Sequence, residues 1–301
     1  MYFRKLILKV APILLIFLVI VSCSEQPEPD GLDAHPAIWK LDNGEAQVYF
    51  VGSIHLLPPE LKWYGGLIEE VMAKTDEVVF EVNMTPDKVA LSQKITIENG
   101  MLAGDDLLSN HLTVEEYSFL LERASEYGIP PTSIVNFKPW FASIALSVSA
   151  VIKEGWDPGS GVDKFIQKIA IDRNIHISEL ETLEKQMETL WNHPIEIQAE
   201  MLRDTLDQLR DIKGLTLDTV NSWANGDIDQ MEETFLEPMK EQPEIFARLV
   251  IERNDNWMPV IEGLISKEQT TLIVAGTAHF IGENGVIKLL EDAGYNVKRV
   301  Q

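Results

Sequence analysis

Residues 271–275 read Thr-Leu-Ile-Val-Ala, an uninterrupted apolar run that ends at Gly276. A run this short, with no polar alternation, suits a strand covered on both faces, and such strands belong to sheets packed between helices. Residues 37–41, 46–51, 77–82, 176–180 and 295–300 also read as strands, and Asp42-Asn43-Gly44 marks a hairpin between the first two. Helical patterns occupy 61–74, 86–99, 114–127, 139–153, 162–173, 183–212, 227–235, 244–265 and 285–292. Strands therefore gather toward the two ends and helices fill the middle. The expected fold class is α/β (or α+β): a central mixed sheet built from N- and C-terminal segments, with a large helical insertion. No Gly/Ser- or Pro-rich linker interrupts residues 37–301, which favours one domain.

Composition narrows the function. Hydrophobic residues make up 45% of the 301 residues, ample for a core, and 48 acids outweigh 25 Lys+Arg to give a net charge of -23. That balance repels a phosphate backbone, so nucleic acid is not an expected partner, and neutral or cationic substrates are favoured. A single cysteine excludes an intramolecular disulfide and any Cys-rich metal site. No Gly-x-Ser-x-Gly elbow, Walker loop or dinucleotide fingerprint follows a strand.

That cysteine has a telling position. Arg4, Lys5 and Lys9 precede or interrupt an apolar stretch from Leu6 to Val21, and Ser22-Cys23 follows. A positive start, a short apolar run and a small residue make an export signal over residues 1–22. Ile20-Val21-Ser22-Cys23 resembles the lipobox of bacterial lipoproteins, which predicts lipid attachment at Cys23 and a polar tether over residues 23–36. The partner implied is a membrane, held through the N-terminal lipid, in the cell envelope. Ser24, in place of an aspartate, favours the outer membrane or cell surface.

Two segments share one pattern. Val48-Tyr-Phe-Val-Gly52-Ser-Ile-His55 and Leu272-Ile-Val-Ala-Gly276-Thr-Ala-His279 are each an apolar strand followed by Gly-x-x-His. Loops at the carboxyl ends of parallel strands are where open sheets place ligands, so two such loops would bring two imidazoles together. Neutral imidazole suits zinc, manganese, cobalt or iron, with a carboxylate as the next ligand. Glu81, near the end of the strand EVVFEV, is the best candidate, because a charge there is expensive unless paired or metal-bound. The competing reading is an ordinary turn followed by a satisfied histidine, and spacing alone leaves the two open.

Taken together these residues resemble the TraB/GumN family, related to the Tiki proteases and more distantly to the ChaN and erythromycin-esterase-like folds. The resemblance runs from about Ala37 to Arg299. It rests on VGSIHLLPPE, VFEVN, Lys138-Pro139-Trp140, SELETLEKQ around Glu181, Glu252-Arg253-Asn254 and the closing VAGTAHFIGENGVIKLLEDAGYNVKRV. It implies a metal-dependent hydrolase, most directly a peptidase acting on a peptide or protein outside the cytoplasm. The implied cofactor is a divalent metal: manganese or cobalt, with zinc as an alternative. By the same resemblance His55 and His279 are metal ligands, and Glu81 is a third ligand or the base that deprotonates a bound water. Arg253 then steadies an oxyanion or a substrate carboxylate. Two alternatives stand beside this reading: a non-catalytic protein that sequesters a peptide or signalling molecule, and a haem-binding lipoprotein.

Other residues read more plainly. Glu181 either orients a ligand from behind or caps the helix starting near Thr182. Lys138-Pro139-Trp140 fits a helix start with the tryptophan packed inside. His35, His111 and His193 stand in polar, turn-like contexts and are expected to face solvent, and His176 reads as a strand-face residue.

Overall fold

The structure is a computed structural model that describes residues 33–44 and 46–301. The expected export signal over residues 1–22, Cys23 and the expected tether up to residue 32 lie outside the described residues. Among the described residues no helix is long and apolar enough to cross a membrane. The described residues divide into two compact units: Pro86–Lys153 with Trp191–Arg210, and the described part of 33–85 with Glu154–Leu190 and Asp211–Gln301.

The first unit is helical. Thr113 starts the Val114–Glu126 helix with a capping box, its side chain accepting from the Glu116 N–H while the Glu116 carboxylate accepts from the Thr113 N–H. Lys138-Pro139-Trp140 does begin a helix, Pro139–Lys153, and Trp140 is buried with Nε1 donating to the Asn99 carbonyl at 3.2 Å. This helix packs along Ile195–Gln208, where the Ser143 and Thr205 hydroxyls share a buried hydrogen bond of 2.6 Å. The helix expected over 183–212 is interrupted: Leu183–Trp191 stops, and Ile195–Gln208 restarts after Pro194. Proline disfavours helical geometry in the residue before it, and that residue is His193. His193 is buried rather than solvent-facing, and Gln198 Nε2 donates to its carbonyl at 2.8 Å, which satisfies the break. His111 is also drawn partly inside, 2.9 Å from Asp106. His35 and His176 are exposed.

The second unit carries a six-stranded mixed sheet. Its strands are β1 (Ile38–Asn43), β2 (Ala46–Ser53), β3 (Glu77–Phe80), β4 (His176–Glu179), β5 (Thr270–Gly276) and β6 (Val297–Arg299). The order across the sheet is β4-β3-β5-β2-β1-β6. β4, β3, β5 and β2 are parallel neighbours, whereas β1 runs antiparallel to both β2 and β6. β5, the run that opened the argument, lies between β3 and β2, and Leu272, Ile273, Val274 and Ala275 are all buried. The pairing Ser53↔Gly276, with Val274↔Phe80 and Phe80↔Glu179, brings the carboxyl ends of four parallel strands to one edge.

Two helical expectations shift. The helix expected from residue 61 starts at Gly66, whose φ of 53° is left-handed, because Trp63 and Tyr64 pack with Phe165 at ring distances of 5.1 and 5.0 Å. The stretch 244–265 is helical throughout but not uniformly α. Pro243–Phe246 leads into a π-turn over Ala247–Ile251, and the α-helix resumes as Glu252–Ile265.

Candidate functional site

The shared edge of the sheet collects the residues singled out from sequence. His55 follows β2, Glu81 follows β3, Glu181 follows β4 and His279 follows β5. Arg253 reaches Glu81, Glu181 and His279 from the Glu252–Ile265 helix. The glycines of the two motifs serve close approach rather than a left-handed turn. Gly276 has φ of -51°, and a β-carbon on Gly52 would stand 2.6 Å from Thr277 Oγ1. Thr277 Oγ1 donates to the Ser53 carbonyl at 3.1 Å, so the two motifs pack against each other.

His279, Glu81, Glu181 and Arg253 form a closed cluster. Glu81 Oε1 accepts from the Gly276 N–H at 2.6 Å. Glu81 Oε2 accepts from Gln186 Nε2 at 2.8 Å and from the Arg253 guanidinium. Arg253 also donates twice to Glu181 Oε1, through Nε at 2.9 Å and Nη2 at 2.5 Å. Its Nη1 donates to His279 Nε2 at 2.9 Å and to the Leu249 carbonyl at 3.1 Å. A guanidinium has five N–H groups, and these contacts engage all five. Leu249 lies in the π-turn over Ala247–Ile251, and its carbonyl accepts from the Arg253 side chain. The Trp257 ring lies 4.9 Å from the guanidinium and 4.3 Å from the His279 ring, closing the cluster from one side.

Asn254 decides the protonation of His279. Its Nδ2 donates to the carbonyls of His279 at 3.3 Å and Asn284 at 2.7 Å, so its Oδ1 faces His279 Nδ1 at 2.7 Å. Nδ1 therefore carries the hydrogen and Nε2 presents the lone pair that Arg253 meets. Burial pulls the His279 pKa down to about 3, with Glu81 opposing and Arg253 reinforcing the fall, so the ring is neutral at physiological pH. The two carboxylates diverge. Burial pushes Glu81 up, but Arg253 first, then His279, His55 and the Gly276 N–H, hold it down to about 2. Burial raises Glu181 above the usual carboxylate range, and its bonds to Arg253 do not cancel that rise.

His55 stands apart from this cluster. Its side chain is 62% exposed, and Nδ1 lies 3.1 Å from Asp163 Oδ1, which Ser53 Oγ also reaches at 2.9 Å. Its surroundings strip some water and push the imidazole down, but the Asp163 charge and hydrogen bond override this and raise it to about 9. Because the ring is so open, solvent screens the pair and leaves it little weight in stability. Gly161 supports the His55 backbone: a β-carbon there would lie 2.2 Å from the His55 carbonyl oxygen. Gly161→Ala is therefore expected to displace the loop and to cost about 1–3 kcal/mol. Thermal melts check this, and a melting temperature within 1 °C of the parent would contradict it.

In this arrangement the residues do not fit a divalent ion. His279 Nε2, the lone pair a metal would take, is occupied by Arg253, and the Glu81 oxygens are engaged by Gly276, Gln186 and Arg253. His55 holds Asp163 through Nδ1 and keeps Nε2 open, so it offers one ligand atom at most, beside a cluster whose other donors are taken. No group of three His, Cys, Asp or Glu suited to a metal occurs among the described residues.

Sequence reasoning missed Ser53, Asp163, Gln186, Asn254 and Trp257. Gln186 and Asn254 sit inside the segments SELETLEKQ and Glu252-Arg253-Asn254 already noted, and Asp163 directly follows Gly161-Val162. For Gln186 and Asn254 the only signal available was their membership of those segments; nothing local set them apart.

The fold and the site together define an α/β protein with histidines and carboxylates at the carboxyl edge of a parallel strand group. The TraB/PrgY/gumN family model matches residues 37–299, and the chain belongs to that family. No curated relative and no solved structure matches it.

Proposed function

We propose that the chain is a hydrolase of acyl substrates, a peptide bond first among them, in which His55 transfers the protons. The observation that carries this reading is the pairing of His55 with Asp163, which leaves Nε2 as an open, solvent-exposed imidazole nitrogen just beyond the end of β2. Asp163 accepts from Nδ1, so Nε2 of the neutral ring is the acceptor that takes a proton from an attacking water and returns it to the leaving group. Arg253 in the buried cluster is near enough for its charge to act on His55. Arg253 has no spare donor, so steadying an oxyanion requires it to release one present bond. Peptide as substrate follows from the Tiki resemblance, and the acid excess agrees with a neutral or cationic one.

With the His55 pKa raised to about 9, the basic form grows as pH rises, so the rate is expected to climb with pH and level off near 9. A peptide library offered to the purified protein tests the reading. His55→Gln is expected to lose about 10²–10⁴-fold in rate. Turnover that survives His55→Gln unchanged refutes His55 as the proton carrier. A parent protein that binds peptides without cleaving them moves the reading to the sequestering alternative.

A further inference from the structure

We propose that the Arg253 guanidinium occupies the cation seat of this site, so that the natural protein works without a divalent metal there and loss of the guanidinium opens a metal site. The metal-dependent chemistry implied by the family resemblance and the geometry of this chain disagree at one place, and that place is Arg253. The inference concerns the same site as the proposed hydrolase but does not require turnover.

The acceptors around Arg253 are those a divalent ion would claim. They are His279 Nε2 at 2.9 Å, Glu81 Oε2, and Glu181 Oε1 at 2.5 Å. Behind them stands the support that metal-binding histidines have. Asn254 holds Nδ1–H and fixes the lone pair inward, while Gln186 and the Gly276 N–H orient the Glu81 carboxylate. What meets the lone pair is a planar cation whose five donors match five acceptor contacts. Arg253, Glu81 and His279 are each less than a tenth exposed, so the guanidinium and its acceptors are largely shielded from solvent cations. An ion added beside the guanidinium would face its positive charge at close range with the carboxylates already shared. The π-turn over Ala247–Ile251 contributes as well: the Leu249 carbonyl in it accepts from Nη1 at 3.1 Å, one more contact that holds the guanidinium in place.

Two measurements on the purified full chain decide it. For the parent protein, elemental analysis after dialysis is expected to find far less than one manganese, cobalt or zinc per chain, and these ions are expected to leave its melting temperature unchanged. A stoichiometric ion that both His279→Ala and Glu81→Gln remove overturns the proposal. For Arg253→Ala, zinc or cobalt is expected to raise the melting temperature by several degrees, because binding to the folded form alone stabilises it. Cobalt would also show the absorption of a His/carboxylate site, lost again when His279→Ala is added. A folded Arg253→Ala protein indifferent to all three ions overturns the seat; if that variant does not fold, the parent measurement stands by itself as the test.

Discussion

Arg253→Ala is expected to lower stability by about 3–5 kcal/mol, because it strands two buried carboxylates without their cation. Glu81 and Glu181 have side chains 11% and 5% exposed, and both rest on this guanidinium. For a chain of this size the corresponding fall in melting temperature is on the order of 10 °C. Arg253→Lys keeps the charge but loses the fork, so it is expected to fall between the two. Adding Glu181→Gln to Arg253→Ala removes one stranded charge and is expected to recover part of the loss. An exposed pair such as Lys168–Asp172, at 2.8 Å, supplies the contrast: Lys168→Ala is expected to change stability by less than about 0.5 kcal/mol. Metal-free thermal and urea melts of this set make the measurement. If Arg253→Ala melts within 2 °C of the parent, the cluster is not held by its arginine.

The second large effect is a loss of stability in mild acid. His279 has a folded pKa near 3 against an ordinary value of 6.5. Below 6.5 the unfolded chain takes up a proton that the folded chain refuses, so the contribution of His279 is full above 6.5 and is lost as pH falls toward 3. Over that window the loss is on the order of 4 kcal/mol. Glu81 has the same sign over a lower range: its contribution is present above its ordinary value of 4.5 and is lost as pH falls toward 2. Urea melts at pH 7.5, 6, 5 and 4 test this against His279→Gln, which is expected to show a flatter dependence between 6.5 and 4.5. Parallel pH profiles for parent and variant would mean that His279 does not hold its neutral form through burial.

The relation of site to sequence is uneven in an informative way. The two Gly-x-x-His motifs and Glu81 are recognisable because each sits next to a local pattern, an apolar strand or a strand end, whereas Arg253 comes only from the family resemblance. Glu181, with two readings open from sequence, accepts two donors of Arg253, and the helix after it begins at Leu183. Asp163 and Asn254 have no such local mark. Asp163 matters because Ser53 and His55 come to it from a strand end about a hundred residues earlier, and spacing carries no trace of a 3 Å contact between such segments. The glycines were legible as the residue shared by the two motifs, but their reason was not: Gly52 is needed where Thr277 passes close, which is a property of β2 lying beside β5.

Sequence by itself determined the element types, the mixed α/β class and the family, since hydrophobic period and short motifs are properties of neighbouring residues. Tertiary structure decided which strand ends share an edge, which tautomer His279 adopts, and that Arg253 rather than an open space lies between His279 and the two glutamates. Those outcomes depend on pairing between distant segments and on which donor reaches a buried acceptor first. Only the folded chain, where every buried polar group must find its partner, sets them.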